Sequence, residues 1–178
     1  MNDHFDSGCD FTRIGSPHGD LVLAAVDDAL VGIWFDGQKY QPPIGAGWRH
    51  RPDAPVLRRA ATQLDEYFAG DRTRFDLALA PRGTPFQRAV WAAIATVPAG
   101  ATITYAELAA KIGKPGSARA AGAATGRNPL SIVIPCHRIV GAGGALTGYA
   151  GGLDRKRALL ALERDATATV TATARRAA

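Results

Sequence analysis

The sequence predicts a mixed α/β protein of the α+β kind, with a small antiparallel sheet and a helix in its first half and a mostly helical second half. Three observations carry that expectation. Short β-branched and apolar runs separated by turn residues fill the stretch from Phe11 to Phe35. Apolar residues at helical spacing dominate after Pro85. The charge changes sign at the same place: residues 1–80 hold eight Lys/Arg against twelve Asp/Glu, and residues 81–178 hold thirteen against four. At 178 residues, 47% hydrophobic and 21% charged, the chain suffices for one large domain or two small ones, with a core burying roughly 70% of the unfolded surface. A disordered or tethered peptide is excluded. No run of about eighteen apolar residues is present. Met1-Asn2-Asp3-His4 lacks the basic and apolar regions of a secretory signal, so the expected setting is a reducing cytoplasm, with no membrane partner and with Cys9 and Cys136 as thiols.

The elements follow in order. Leu21-Val22-Leu23 and Leu30-Val31-Gly32-Ile33-Trp34-Phe35, punctuated by Ser16-Pro17-His18-Gly19 and Asp27-Asp28, predict an antiparallel meander. Residues 37–55, with four prolines and no period, predict a long loop. Val56, Leu57, Ala60, Ala61, Leu64, Tyr67 and Phe68 share one helical face that ends at Gly70. Residues 74–79 resemble a strand, and Pro81-Arg82-Gly83 marks a boundary between a domain over 1–82 and another over 83–165. Thr84-Pro85-Phe86-Gln87 and Thr104-Tyr105-Ala106-Glu107 are capping boxes, each opening a helix; Pro98 stops the first and Gly113 the second. After Lys114-Pro115-Gly116, Ser117 is placed to cap an alanine-rich helix from Ala118 to about Gly126. This arrangement fits either a helix-turn-helix or an ordinary αα-hairpin; spacing alone favours the hairpin, and the basic charge of this half moves the balance towards an anionic partner. Residues 130–135 are apolar and β-branched, hence expected to be extended and buried, delivering Cys136-His137-Arg138 at their end. A glycine-rich loop, 141–152, carries Tyr149. Asp154 is expected to cap a last helix through Leu159, Leu160 and Glu163, and residues 166–178 are expected to form a disordered tail.

Cys136 is the residue with chemistry to offer. A buried cysteine is ordinarily a small core hydrophobe, but here a base, His137, is adjacent, and Arg127 and Arg138 are expected to add positive potential that favours the thiolate. Adjacent Cys and His seldom point at one ion, and no second pair stands at ligand spacing.

Ile134-Pro135-Cys136-His137-Arg138 resembles the active-site signature of the O6-alkylguanine-DNA alkyltransferases, the methylated-DNA–protein-cysteine methyltransferases. Gly83-Thr84-Pro85-Phe86-Gln87 with Trp91, Thr104-Tyr105 with Leu108, Ala118-Arg119-Ala120, Arg127-Asn128-Pro129 and Gly148-Tyr149-Ala150-Gly151-Gly152 are similar to family blocks in order and spacing over about residues 83–163. In the acidic half, Ser16-Pro17-His18-Gly19 and the helix end from Leu64 to Gly70 are similar too.

The resemblance implies a ribonuclease-H-like N-terminal domain and a winged-helix-like C-terminal domain whose helix-turn-helix enters the DNA minor groove while the damaged guanine is flipped out. It implies direct-reversal repair: irreversible, single-use transfer of the alkyl group from O6-alkylguanine in double-stranded DNA to Cys136, with O4-alkylthymine an open second lesion. His137 would act as base through a water and Glu163 would orient it. Tyr105 would serve the departing guanine, and Asn128 would tie the recognition helix to the active-site segment. Arg119 would fill the place of the flipped base. Ala118, Ala120, Gly122, Thr104, Thr125 and Arg127 would meet DNA, while Ser131, Ile139, Tyr149 and Ala150 would line the pocket. Thr125 stands where many members carry Asn, Ala150 where some carry Ser, and Ser131 where some carry Pro. Some relatives hold zinc in the N-terminal domain; here Cys9 has only His4, His18 and His50 for company, so no metal and no cofactor are expected, and the protein should be a monomer without DNA. Two other classes remain, with a weaker third. Cys136 argues against a non-catalytic lesion sensor, and the chain has no room for the extra module that a transcription regulator would need. A cysteine hydrolase lacks an oxyanion signature.

Overall fold

The computed structural model describes residues 8–176. A four-stranded sheet opens the chain, formed by β1 (Cys9–Ile14), β2 (Leu21–Val26), β3 (Ala29–Phe35) and β4 (Trp48–His50) in the order β3-β2-β1-β4. The first three strands make the expected antiparallel meander. β4 lies inside the proline-containing segment expected to be loop, and it pairs parallel to β1, Cys9 opposite Trp48. Three residues are too few for an alternating pattern to register in the sequence.

α1 (Pro55–Ala69) begins with proline at its first turn and ends at Gly70, whose φ of 84° closes the helix with its N–H on the Tyr67 carbonyl. It buries Leu57, Ala60, Leu64 and Tyr67 against one face of the sheet. Residues 74–79 do not form the expected strand. Only Leu79 bridges to Leu30, and the segment is pinned by the buried Gln63, whose side chain both donates to and accepts from the Asp76 backbone.

α2 (Pro85–Ala95) and α3 (Tyr105–Lys111) each start at a complete capping box, on Thr84 with Gln87 and on Thr104 with Glu107. α4 (Ala118–Gly126) follows the 112–117 turn, but the Ser117 side chain makes no capping bond. The indole N–H of Trp91 on α2 donates to the Ala124 carbonyl on α4 at 2.9 Å, tying these two helices together. β5 (Ile103–Thr104) and β6 (Ile139–Val140) pair in parallel, which sets the start of α3 beside the turn that carries Cys136.

Residues 130–135 are buried as expected but not extended. Leu130 docks on Ile33 of β3, after which the chain turns tightly, with Ile132 at φ 72° and the Ile134 N–H on the Leu130 carbonyl. A β-branched residue there is strained by its left-handed backbone, and the packing of both halves around it overrides local preference. α5 (Leu153–Arg176) starts one residue before Asp154, which therefore sits in the first turn rather than at the cap and takes a bond from Arg157. The helix also continues through residues 166–176, where a disordered tail is expected, and Thr167 back-bonds to the Glu163 carbonyl; residues 177–178 of that expected tail lie outside the described residues. One apolar core runs from Leu21 and Phe35 through Leu64 and Trp91 to Ile139 and Leu159, so the sheet-bearing and helical parts share an interior. No described helix is long and apolar enough to cross a membrane.

Candidate active site

A one-turn 3-10 helix, Cys136–Arg138, follows the strained 130–135 turn and places three consecutive side chains in the protein interior. Pro135 ends the turn and the Cys136 N–H is bonded to the Ile134 carbonyl at 2.8 Å, so the backbone that presents the thiol is fixed from behind. Cys136 is 5% exposed.

Asn128, just past α4, is buried against it. Its amide nitrogen donates to the Ile134 carbonyl at 2.8 Å and to Cys136 Sγ at 3.1 Å, while its Oδ1 accepts the Leu130 N–H at 3.0 Å. Asn128 is thus bonded to the turn that carries Cys136 and also touches the sulfur. Burial pushes the Cys136 thiol above its ordinary value; the Asn128 amide and the positive charge of Lys156 pull the other way.

Glu163, on α5, collects five donors although only 1% exposed. Oε1 takes Tyr67 Oη at 2.9 Å, Arg138 Nη2 at 2.8 Å and faces His137 Nε2 at 2.8 Å; Oε2 takes Arg138 Nε at 2.9 Å and the Gly100 N–H at 3.3 Å. Burial disfavours the charged carboxylate, but the bonds and charges of His137 and Arg138 outweigh it and hold Glu163 well below the usual carboxylate range. An ionised Glu163 only accepts, which assigns the donor hydrogen of neutral His137 to Nε2 and leaves Nδ1 with its lone pair. Nδ1 has no hydrogen-bond partner among the described residues. Burial keeps His137 below its ordinary value despite Glu163, so at neutral pH it is a base rather than a cation.

The positive potential at the thiol has a different source from the one expected. The Arg138 guanidinium is committed to Glu163 and the Val97 carbonyl, and exposed Arg127 lies over the Tyr40 ring, 5.0 Å from its centre. Lys156 is the relevant cation. It is fully buried and its ammonium donates to the carbonyls of Ile139 at 2.6 Å and Thr147 at 2.8 Å, with Gly148 at 3.4 Å. Burial pushes it down to about 8. Lys156 and Tyr67 were not singled out as site residues, because a lysine in a basic helix and a tyrosine on an apolar face carry no local mark of their long-range partners.

Tyr105, at the first turn of α3, donates to the Thr147 and Gly148 carbonyls at 3.2 and 3.3 Å, joining the glycine loop to the helical pair. Tyr149 and Ala150 are half-buried on that loop, and the Ala150 carbonyl accepts from the Lys39 N–H at 3.2 Å. Buried Ser131 donates to Gln38 Oε1 at 3.2 Å, a further tie between the two halves. Ile139 packs into the core rather than lining an open pocket; only its carbonyl serves the site, through Lys156.

On the helical pair, Arg119 and Ala120 are exposed and Ala118 is half-buried at the start of α4. Half-buried Gly122 lies against Tyr105, where a Cβ would stand 3.4 Å from the ring, an ordinary contact that does not by itself require glycine. The Thr104 hydroxyl is engaged in its capping box. Thr125, expected to meet DNA, is 4% exposed and its hydroxyl is spent on the Ala121 carbonyl at 2.8 Å, which removes it from any outer face. Among the described residues no three His, Cys, Asp or Glu side chains group as for a metal; His4 lies outside them.

The geometry is that of a nucleophile with a buried base, beside a basic helical pair. Residues 85–165 match the model of the 6-O-methylguanine DNA methyltransferase DNA-binding domain, and residues 11–81 match the ribonuclease-like domain of the same enzymes. The chain is 50% identical over 155 residues to the methylated-DNA–protein-cysteine methyltransferase of Mycolicibacterium paratuberculosis, covering 87% of this chain and 92% of that one. It is 47% identical over 152 residues to that of Methanosarcina barkeri, covering 85% and 95%. Its fold is similar to the crystal structure of Mycobacterium tuberculosis OGT in complex with DNA, with a TM-score of 0.81, 45% identity, and 88% and 94% of the two chains covered.

Proposed function

The chain belongs to the 6-O-methylguanine DNA methyltransferase family, and on that premise we propose that Cys136 takes the alkyl group from O6-alkylguanine in duplex DNA, once per molecule. Direct-reversal DNA repair is the activity; the residues that perform it follow from the site. The observation that carries the assignment is a buried thiol followed in the chain by a buried imidazole whose Nε2 is fixed by a carboxylate.

His137 Nδ1 removes the Cys136 proton through one water, and the Glu163 anion stabilises the imidazolium that results. The thiolate then attacks the alkyl carbon: the Sγ–C bond forms, the C–O6 bond breaks, and its electron pair leaves on the guanine. That anion needs a donor. The Tyr105 hydroxyl and the backbone N–H groups near Tyr149 and Ala150 supply it, and the proton taken from the thiol is balanced by the one the guanine gains. Asn128 and Lys156 lower the cost of the thiolate. A thioether has no good leaving group, so the protein is spent.

The target base reaches a buried sulfur only by leaving the helix. The basic half around α3 and α4 holds the duplex by its minor groove, with exposed Arg119 in the vacated place and Ala118 and Ala120 allowing close approach. We take the division between the two domains near residue 82, and the protein to be a cytoplasmic monomer until it meets DNA. Titrating an O6-methylguanine duplex against the protein tests the function. Transfer should plateau at one group per chain; repeated turnover by the same molecules would contradict single use.

A further inference from the structure

The Glu163 carboxylate is held from several directions, and one of its bonds crosses from the acidic half of the chain. Arg138 and His137 come from the active-site turn and the Gly100 N–H from the loop after α2, but Tyr67 comes from α1. Its hydroxyl, 2.9 Å from Oε1, acts on the same oxygen that faces His137 Nε2. The ring is 2% exposed and wedged between Phe68 and Phe75, with ring centres 5.5 and 5.6 Å away, so the hydroxyl has little freedom to point elsewhere. Burial first, then the Glu163 charge, pushes the phenol far above its ordinary value, and it stays a donor at every working pH.

We propose that Tyr67 is a positioning residue for the transfer, setting through Oε1 how strongly Glu163 stabilises the protonated form of His137. The inference rests on His137 serving as the base for Cys136, as argued above. A donor on Oε1 withdraws negative charge from the oxygen that faces the imidazole. Removing that donor leaves a stronger acceptor, favours the imidazolium, and so protonates the base at higher pH. The other charged or titratable groups packed around the pair are Arg138 on the active-site turn, Lys156 on α5 and Tyr149 on the glycine loop. Both cations disfavour the imidazolium, and none of the three groups is altered when only the Tyr67 hydroxyl is removed. The sheet-bearing half therefore contributes to the chemistry of the helical half as well as to its support.

The test is the single-turnover rate of transfer from an O6-methylguanine duplex as a function of pH, for the unaltered protein and for Tyr67→Phe. The acid limb should move up by about half a pH unit, a loss of about threefold in rate at a pH on that limb, with duplex affinity unchanged. A rate lowered by the same factor at every pH, or profiles that superimpose, would overturn the proposal and leave Tyr67 a packing residue. Should Tyr67→Phe fail to fold, a ring-fluorinated tyrosine at the same position keeps ring and hydroxyl and is a stronger donor. It should move the limb down, and no movement would overturn the proposal equally. If the unaltered protein transfers no alkyl group to Cys136, the function proposed above falls and takes this inference with it; a normal transfer with unmoved limbs defeats this inference alone.

Discussion

The two sides of the active-site turn are built in opposite ways. On the side of α5, the two charged groups that reach the turn are buried and bonded: Glu163 with Tyr67, His137 and Arg138, and Lys156 on three carbonyls. On the side of α4, the cations Arg119 and Arg127 stand in solvent and the surface between is alanine and glycine. A buried ionic network is costly to assemble and more costly to break, so it holds one geometry whether or not substrate is present. An exposed arginine acts only when a phosphate or base arrives. On the function proposed above, the chemistry is preorganised inside and recognition is left to the outer face.

The largest effect should come at the sulfur, where the two sides meet. Cys136→Ala is expected to abolish transfer while leaving affinity for an alkylated duplex unchanged, measured by duplex titration with and without the lesion. Loss of binding as well would show that the thiol holds the recognition face in place, and the division between the sides would fail.

Next come the internal pair. His137→Ala and Glu163→Gln should each slow single-turnover transfer by about 10²–10⁴, with the double variant no slower than the worse single one. Simple additivity would separate the two residues into independent roles. Glu163→Gln also leaves Arg138 buried without a full charge partner and should cost about 3–5 kcal/mol in chemical denaturation.

Changes on the outer face should be smaller and conditional. Arg119→Ala is expected to slow repair in duplex DNA by about tenfold to a hundredfold, because unstacking the base costs a few kcal/mol. Transfer from free O6-benzylguanine, which needs no flipping, should change little, and a lesion in an unstable mismatch should be partly rescued. Equal losses on duplex and free base would move Arg119 to the inner side of the comparison.

The smallest effect is on stability against pH. Glu163 is held below the carboxylate range and His137 below its ordinary 6.5, so the unfolded chain binds more protons than the folded one at acid pH. Stability should be full above the histidine range, decline as pH falls through it, and decline further below the unfolded carboxylate value near 4.5. Glu163→Gln should remove most of the lower step in urea titrations at a series of pH values.

The sequence made one side of this comparison more legible than the other. Capping boxes at Thr84 and Thr104, the glycine end of α1 and the Cys136-His137 adjacency are local signals, and the structure carries all of them. Glu163 entered only through resemblance, and Tyr67 and Lys156 escaped notice because their roles depend on partners far along the chain. Residues 130–135 misled for a related reason: Ile132-Val133-Ile134 favours extended backbone, yet docking on β3 bends it into a turn. β4 was too short to register, and Thr125 looked available for DNA because nothing local shows that its hydroxyl bonds back to Ala121.

The central claim is that the buried thiol of Cys136 is the acceptor. Peptide mass mapping after a single exposure to an O6-methylguanine duplex tests it most directly. One added methyl group, confined to the peptide containing Cys136 and absent from the one containing Cys9, is the predicted result. A methyl group on any other residue, or an unmodified protein alongside repaired DNA, would contradict it.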